Sequence, residues 1–278
     1  LITPDTVLYD GGSLTVGDIV FNNAGGAAHG ALALRTALTV SSDVFFYQLG
    51  RDLDSRGDGL ALQRWARRLG LGRLTGIDLP AEQPGRIPTP HWRNRLFKKH
   101  LTDRPWSVGD NVNLSVGQGD VAVDPMQMAV AYATIANGGR VLRPRLGMRI
   151  EDTAGRALQQ LEAPTARRLK IDPSYRQAIL DGLRGAASAP GGTSTEVFAG
   201  FPIPVAGKTG TAEKGLGRAD QSWYVALAPF PDPQYVVAVT DEAGGFGADT
   251  AAPMARRILA ELFDVNEHRI VAGGGPSD

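Results

Sequence analysis

The spacing of apolar positions is helical through the middle of the chain and changes period in the last third. The first thirty residues are rich in turn formers, with short runs at 6–9 and 18–22 that predict β-strands. Leu32, Leu34 and Leu38 then recur in an alanine-rich stretch that reads as a helix. Val44-Phe45-Phe46-Tyr47-Gln48-Leu49 predicts another, just after Ser41-Ser42-Asp43. Residues 57–59 break the pattern, and Leu60, Leu62, Trp65, Ala66 and Leu69 predict a third helix closed by Gly70. Asp124-Pro125 and Asp172-Pro173 each set a capping carboxylate before a proline at the first helical position. Met128, Ala131, Tyr132 and Ile135 form the apolar stripe after the first pair, which Asn137-Gly138-Gly139 ends. Ile179, Leu180 and Leu183 form the buried face after the second.

In the last third Trp223, Val225 and Leu227 alternate with Tyr224, Ala226 and Ala228, and Tyr235-Val236-Val237-Ala238-Val239 follows a Pro231-Asp232-Pro233 turn. These predict an antiparallel hairpin, with residues 206–212 as a third strand. A last helix spans about 249–263, with Met254, Ile258, Leu259 and Leu262 on one side. Helices first, then antiparallel strands, then a closing helix predict an α+β fold with helices packed on one sheet. Residues 1–264 read as one structural unit and 265–278, with Gly273-Gly274-Gly275-Pro276, as a flexible tail. Residues 80–110 read as a long connection with prolines at 84, 88, 90 and 105. There Arg86, Arg93, Arg95, Lys98, Lys99 and Arg104 outnumber Asp103. A solvated surface loop is the plain reading, and contact with a lipid-linked precursor or a partner protein is the functional one.

Composition narrows the field. At 278 residues, 42% hydrophobic and 21% charged, the chain can bury a core and does not have the profile of a disordered protein. The 29 basic and 29 acidic residues cancel, so no global field draws it to nucleic acid or an acidic membrane. The absence of cysteine excludes disulfides, thiolate metal sites and a cysteine nucleophile. His29, His91, His100 and His268 lack metal-ligand spacing, Gly117-x-Gly119 is not followed by a dinucleotide-binding pattern, and no phosphate-binding loop occurs. No metal or cofactor is expected. No apolar run approaches the roughly 18 residues of a membrane span. The chain opens on Leu1 rather than Met, which suggests a cut-out or processed piece.

Two short motifs carry chemistry. Lys208-Thr209-Gly210-Thr211 precedes the hairpin. A lysine on a strand offers a point charge to a substrate carboxylate, the glycine lets a ligand backbone approach, and the strand edge can pair with an extended peptide. Ser41-Ser42-Asp43 reads as a helix N-cap, or as a variant of the S-x-N signature of penicillin-recognising serine enzymes, and the two readings are compatible.

The wider sequence resembles the transpeptidase domain of class B penicillin-binding proteins. The resemblance is carried by Ser115-Val116-Gly117-Gln118-Gly119 ahead of Asp124-Pro125-Met126-Gln127-Met128-Ala129, by Thr75-Gly76-Ile77-Asp78-Leu79-Pro80, by residues 206–213 and by residues 223–229. Ser41-Ser42-Asp43 followed by aromatics, with Pro90, Trp92, Trp106, Gly109-Asp110 and Asn113, resembles the elongation-type branch.

The resemblance implies a penicillin-binding/β-lactamase-like transpeptidase fold, present here as a partial domain. It also implies a D,D-transpeptidase that cross-links peptidoglycan stem peptides ending in D-Ala-D-Ala and is acylated by β-lactam antibiotics. By position in the motifs, Ser41 would relay a proton beside the nucleophile. Asp43 would replace the family's Asn, although an ionised Asp only accepts hydrogen bonds. Lys208 would support the proton network and attract the substrate carboxylate, which the Thr209 and Thr211 hydroxyls would also bind beside Gly210. The Thr211 N–H would be one oxyanion donor, a contact worth about 2.7–4 kcal/mol of barrier.

The family nucleophile lies in an upstream S-x-x-K, and no serine here has lysine three residues later. That motif is expected on a segment outside this sequence, or on a separate chain, and these residues alone are expected to be inactive. Glu213 and Asp220 read as surface charges. Rival readings are a D,D-carboxypeptidase or serine β-lactamase relative, which the Gly-Gln-Gly segment with Gln127 argues against, and a non-catalytic peptidoglycan- or β-lactam-binding sensor module. The resemblance further implies an elongation scaffold and a glycosyltransferase of the shape, elongation, division and sporulation (SEDS) family as partners. It places the site at the extracytoplasmic face of a bacterial cytoplasmic membrane, with the anchor outside this sequence.

Overall fold

The computed structural model describes residues 1–266 except 163 and 216. The expected flexible tail from 267 onward, and His268, lie outside the described residues. Among the described residues no helix is long and apolar enough to cross a membrane.

The organising element is a three-stranded antiparallel sheet of β9 (Ala206–Ala212), β10 (Gln221–Ala228) and β11 (Tyr235–Asp241), with β10 central and β9 at one edge. Among the described residues it is preceded by eight short strands, β1 to β8. The predicted hairpin is present, with Ser222 opposite Asp241 and Ala228 opposite Tyr235.

The alternation along β10 buries both faces. Tyr224, Ala226 and Ala228 pack with α9 (Ala251–Leu262) and α8 (Thr195–Phe198). Leu227 turns to the other face, against α7 (Pro173–Ala186) and Tyr132 and Ile135 of α6 (Pro125–Ala136). Helices therefore cover the sheet on both sides, an α+β arrangement. Both Asp-Pro starts behave as predicted: Asp124 accepts from the Gln127 N–H and Asp172 from the Ser174 N–H.

The remaining elements build outward from α7. Strands β1 (Leu8–Asp10) and β4 (Gly30–Leu32) pair, as do β2 (Ser13–Val16) and β3 (Ile19–Asn22). Helix α1 (Leu34–Val40) lies along α7, and α2 (Asp43–Asp54) packs on α5 (Val108–Ser115). Helix α3 is Ala61–Leu69. Two small ribbons, β5 (Arg140–Leu142) with β8 (Thr165–Arg168) and β6 (Arg149–Glu151) with β7 (Ala157–Gln160), sit between α6 and α7 in sequence.

Close approach of α1 to α7 depends on two glycines. A Cβ at Gly182 would fall 2.7 Å from Leu38 Cβ and 3.0 Å from the Arg35 carbonyl, and one at Gly185 would fall 2.2 Å from Thr39 Oγ1. Gly182→Val is expected to destabilise the fold by about 1–3 kcal/mol through overpacking, read as a lower urea midpoint at unchanged slope.

Two expectations are corrected. Residues 80–110 are not a structureless connection: α4 (Pro90–Lys98) lies within them, capped by Thr89 with Pro90 at its first turn. Several of the basic side chains there are held internally. Arg93 pairs with Asp103 and Asp120, Arg104 pairs with Asp110, and Arg86 lies over the Trp92 ring. On α9 the buried face is Ala251, Ala252, Ala255 and Leu259, whereas Met254, Ile258 and Leu262 are each 43% exposed. Small alanines let the helix lie close on the sheet, and that outweighs the burial of the larger side chains.

Candidate active site

Strand β9 delivers Lys208 to the open edge of the sheet. Its path is fixed by Gly207, where a Cβ would fall 2.2 Å from the hydroxyl of fully buried Tyr224. That phenol bonds Ser194 Oγ at 2.9 Å, and burial raises its pKa. Lys208 and Gly210 lie on one face of β9, and Thr209 and Thr211 on the other.

Ser41 arrives from the junction of α1 and α2, 167 positions earlier in the chain. Lys208 Nζ donates to Ser41 Oγ at 2.6 Å and to the Thr209 carbonyl at 2.9 Å. The structure thus joins the two motifs that the sequence singled out. Ser41 caps α1 in the left-handed region, at φ 57° and ψ 50°. A non-glycine residue held there stores about 1–3 kcal/mol of strain.

The strain is opposed by a buried polar hub absent from the sequence reading. Ser42 caps α2 by accepting from the Phe45 N–H, and its hydroxyl donates to Asp10 Oδ2 at 2.5 Å. Asp10, fully buried, also accepts from the Gly12 N–H at 2.8 Å and from Asn23 Nδ2. Asn23 Oδ1 in turn accepts from the Val44 N–H at 2.9 Å. The expected cap of α2 falls on Ser42, and Ser41 is left facing Lys208.

Asp43 opens α2 and is half-buried. Tyr47, one turn on, has its pKa raised by burial first and then by the negative charges of Asp43 and Glu213. The Glu213 side chain is exposed, in keeping with a surface charge.

The threonines separate. Thr209 is buried and its hydroxyl donates to Thr193 Oγ1 at 2.8 Å, so it faces the interior instead of an incoming carboxylate. The Thr211 hydroxyl is more open and accepts from the Gly247 N–H at 3.3 Å, leaving its own hydrogen to donate. The Thr211 carbonyl points outward, where Gln118 Nε2 reaches it at 2.9 Å. In an antiparallel ladder the N–H of the same residue faces the same way, toward the unpaired edge.

Gln118 was legible as part of a motif but not as a contact of β9. Gln127 lies away from the site: fully buried, it donates to the Arg73 and Pro84 carbonyls and accepts from the Gly72 N–H, latching the 72–86 segment.

Comparison with known proteins identifies the family and the fold. The family described as penicillin binding protein transpeptidase domain matches residues 1–260. The chain is 32% identical over 277 residues to the peptidoglycan D,D-transpeptidase MrdA of Haemophilus influenzae, covering 93% of the chain and 41% of that protein. It superposes on Pseudomonas aeruginosa PBP2 in complex with WCK 5153 with a TM-score of 0.79, at 26% identity, covering 98% of the chain and 58% of the other. A chain from a peptidoglycan synthase complex that coordinates polymerization and crosslinking gives a TM-score of 0.80 at 31% identity, covering 97% and 44%. The sequence spans about two fifths of the length of the MrdA relative it matches.

Proposed function

This chain belongs to the penicillin-binding protein transpeptidase domain family, with MrdA-type relatives of the elongation branch, and from that premise we propose that it forms the substrate-cradling part of a serine D,D-transpeptidase. The observation that carries the reading is the 2.6 Å hydrogen bond from Lys208 to Ser41 at the open edge of β9.

A serine in a Ser-x-x-Lys outside these 278 residues attacks the carbonyl of the penultimate D-Ala of a stem peptide, and the terminal D-Ala leaves as an amine. The resulting ester is resolved by the amine of a neighbouring stem. Ser41, hydrogen-bonded to Lys208, relays the proton to the leaving amine. The Thr211 N–H stabilises the oxyanion, and the Lys208 charge with the Thr211 hydroxyl holds the substrate carboxylate. Thr209 keeps its place in this reading as a packing contact beside Lys208. Asp43 accepts hydrogen bonds where the family Asn would both donate and accept. β-Lactams acylate the same serine. The match to a chain of a peptidoglycan synthase complex that coordinates polymerization and crosslinking supports a peptidoglycan-polymerising partner; its SEDS type and the extracytoplasmic location follow from the family resemblance.

The test is to label the intact protein with a fluorescent penicillin and map the adduct. One acylated serine outside residues 1–278 is expected. An adduct on Ser41 or Ser42 overturns the relay assignment, and no adduct favours a non-catalytic binding module.

A further inference from the structure

We infer that Gln118 is a positioning residue of this site: its carboxamide stands in for the peptide group of an absent neighbouring strand and holds the Thr211 backbone in register. The inference rests on the transpeptidase reading. Among the described residues β9 is an edge strand, and no strand pairs with the outward groups of 211 and 213. Gln118 Nε2 donates to the Thr211 carbonyl at 2.9 Å, and Gln118 Oε1 accepts from the Glu213 N–H at 3.3 Å. In a parallel ladder, one residue bonds the carbonyl before and the N–H after the residue opposite it. The Gln118 side chain reproduces that pattern across Ala212. Only one orientation of the amide satisfies both bonds, since the flipped amide would set donor against donor.

The side chain is presented from a fixed backbone. The Val116 and Gln118 N–H groups both donate to the Asn113 carbonyl, and the Gly117 N–H donates to that of Leu114, closing α5. Gly117 and Gly119 flank it at φ 80° and 79°, a left-handed geometry that suits glycine. A half-buried residue anchored this way, with neither Ser41 nor Lys208 among its hydrogen-bond partners, acts through Thr211. It fixes the backbone on both sides of Ala212, and with it the direction of the Thr211 N–H.

Gln118→Glu and Gln118→Ala in the intact protein test this by fluorescent-penicillin acylation from pH 7.5 to 4.5, each rate divided by that of the unsubstituted protein. An ionised glutamate accepts from Glu213 N–H but meets the Thr211 carbonyl with a second acceptor; a protonated one donates to it again. The Glu variant is expected to be about 10- to 100-fold slower at pH 7.5, with the ratio recovering as pH falls through the ordinary carboxyl range. The Ala variant is expected to stay slow at every pH. The titratable groups on the neighbouring segments include Glu213, Lys214, Lys208, Asp43 and Tyr47, with Asp120 held by Arg93, and they are common to all three proteins. A ratio that does not change with pH for the Glu variant, or unimpaired acylation of the Ala variant, overturns the inference. Failure of the unsubstituted protein to acylate removes the transpeptidase reading and the inference with it.

Discussion

Lys208→Ala is expected to slow penicillin acylation of the intact protein by about 10²- to 10⁴-fold, the range for loss of a positioned proton-transfer group. The unfolding midpoint should hardly move. The ammonium donates to Ser41 Oγ and the Thr209 carbonyl, and β9 is held by its ladder to β10, which Lys208 joins through its backbone opposite Val225. The chemistry needs more than a charge. In the proposed reaction a proton must travel between the nucleophile and the leaving group, and the 2.6 Å bond to Ser41 supplies a donor and an acceptor in line. Lys208→Arg therefore should not rescue the rate, because a planar guanidinium cannot be deprotonated in proteins and is too broad for a site shaped around an ammonium. Ser41→Ala should fall in the same direction, and the double variant should lose less than the product of the two single losses if the pair acts as a unit. Time-resolved labelling decides the matter, and wild-type rates in Lys208→Ala would remove Lys208 from the mechanism.

The parts of this fold that were readable are those in which a signal is local. The alternation along 223–228 and the Asp-Pro helix starts depend on neighbours in sequence, and both survive in the structure. Thr89-Pro90 carries the same start signal as Asp124-Pro125, yet the surrounding prolines and charges mask it, and α4 has the sequence pattern of a loop. The face of α9 was misassigned because hydrophobicity ranks methionine and isoleucine above alanine, whereas a helix lying flat on a sheet selects small side chains. The site shows the same division. Lys208 and Ser41 stood out as motif residues, but the hydrogen bond between them spans 167 positions. Asp10, Asn23 and the contact of Gln118 with β9 are long-range polar pairings, with no periodicity to announce them. The one local hint was Asp10 ahead of Gly11-Gly12, an acceptor at the end of a strand that runs into a tight turn.

That hub carries the second large expected effect. Asp10→Ala should destabilise the fold by about 3–5 kcal/mol, because it strands the buried donors of Gly12, Asn23 and Ser42, each of which costs about 1–3 kcal/mol without complete additivity. Against a typical total of about 5–15 kcal/mol this is a large fraction, and it should appear as a lower urea midpoint at unchanged slope. Asp10→Asn keeps the shape and one acceptor oxygen but turns an NH2 toward a donor, so an intermediate loss is expected. The functional consequence separates this hub from ordinary core packing. Ser42 hangs from Asp10 at 2.5 Å and caps α2, and Ser41, its chain neighbour, is held at φ 57° only while that cap stays in place. Releasing the hub lets Ser41 relax out of the left-handed region and away from Lys208. Asp10→Asn should therefore lose acylation rate at temperatures where it remains fully folded, whereas Gly182→Val, which disturbs packing farther along α1, should lose stability with a smaller change in rate. If Asp10→Asn acylates at the wild-type rate while folded, the hub serves the fold alone, and the strained geometry of Ser41 must be held by the α1–α7 contact instead.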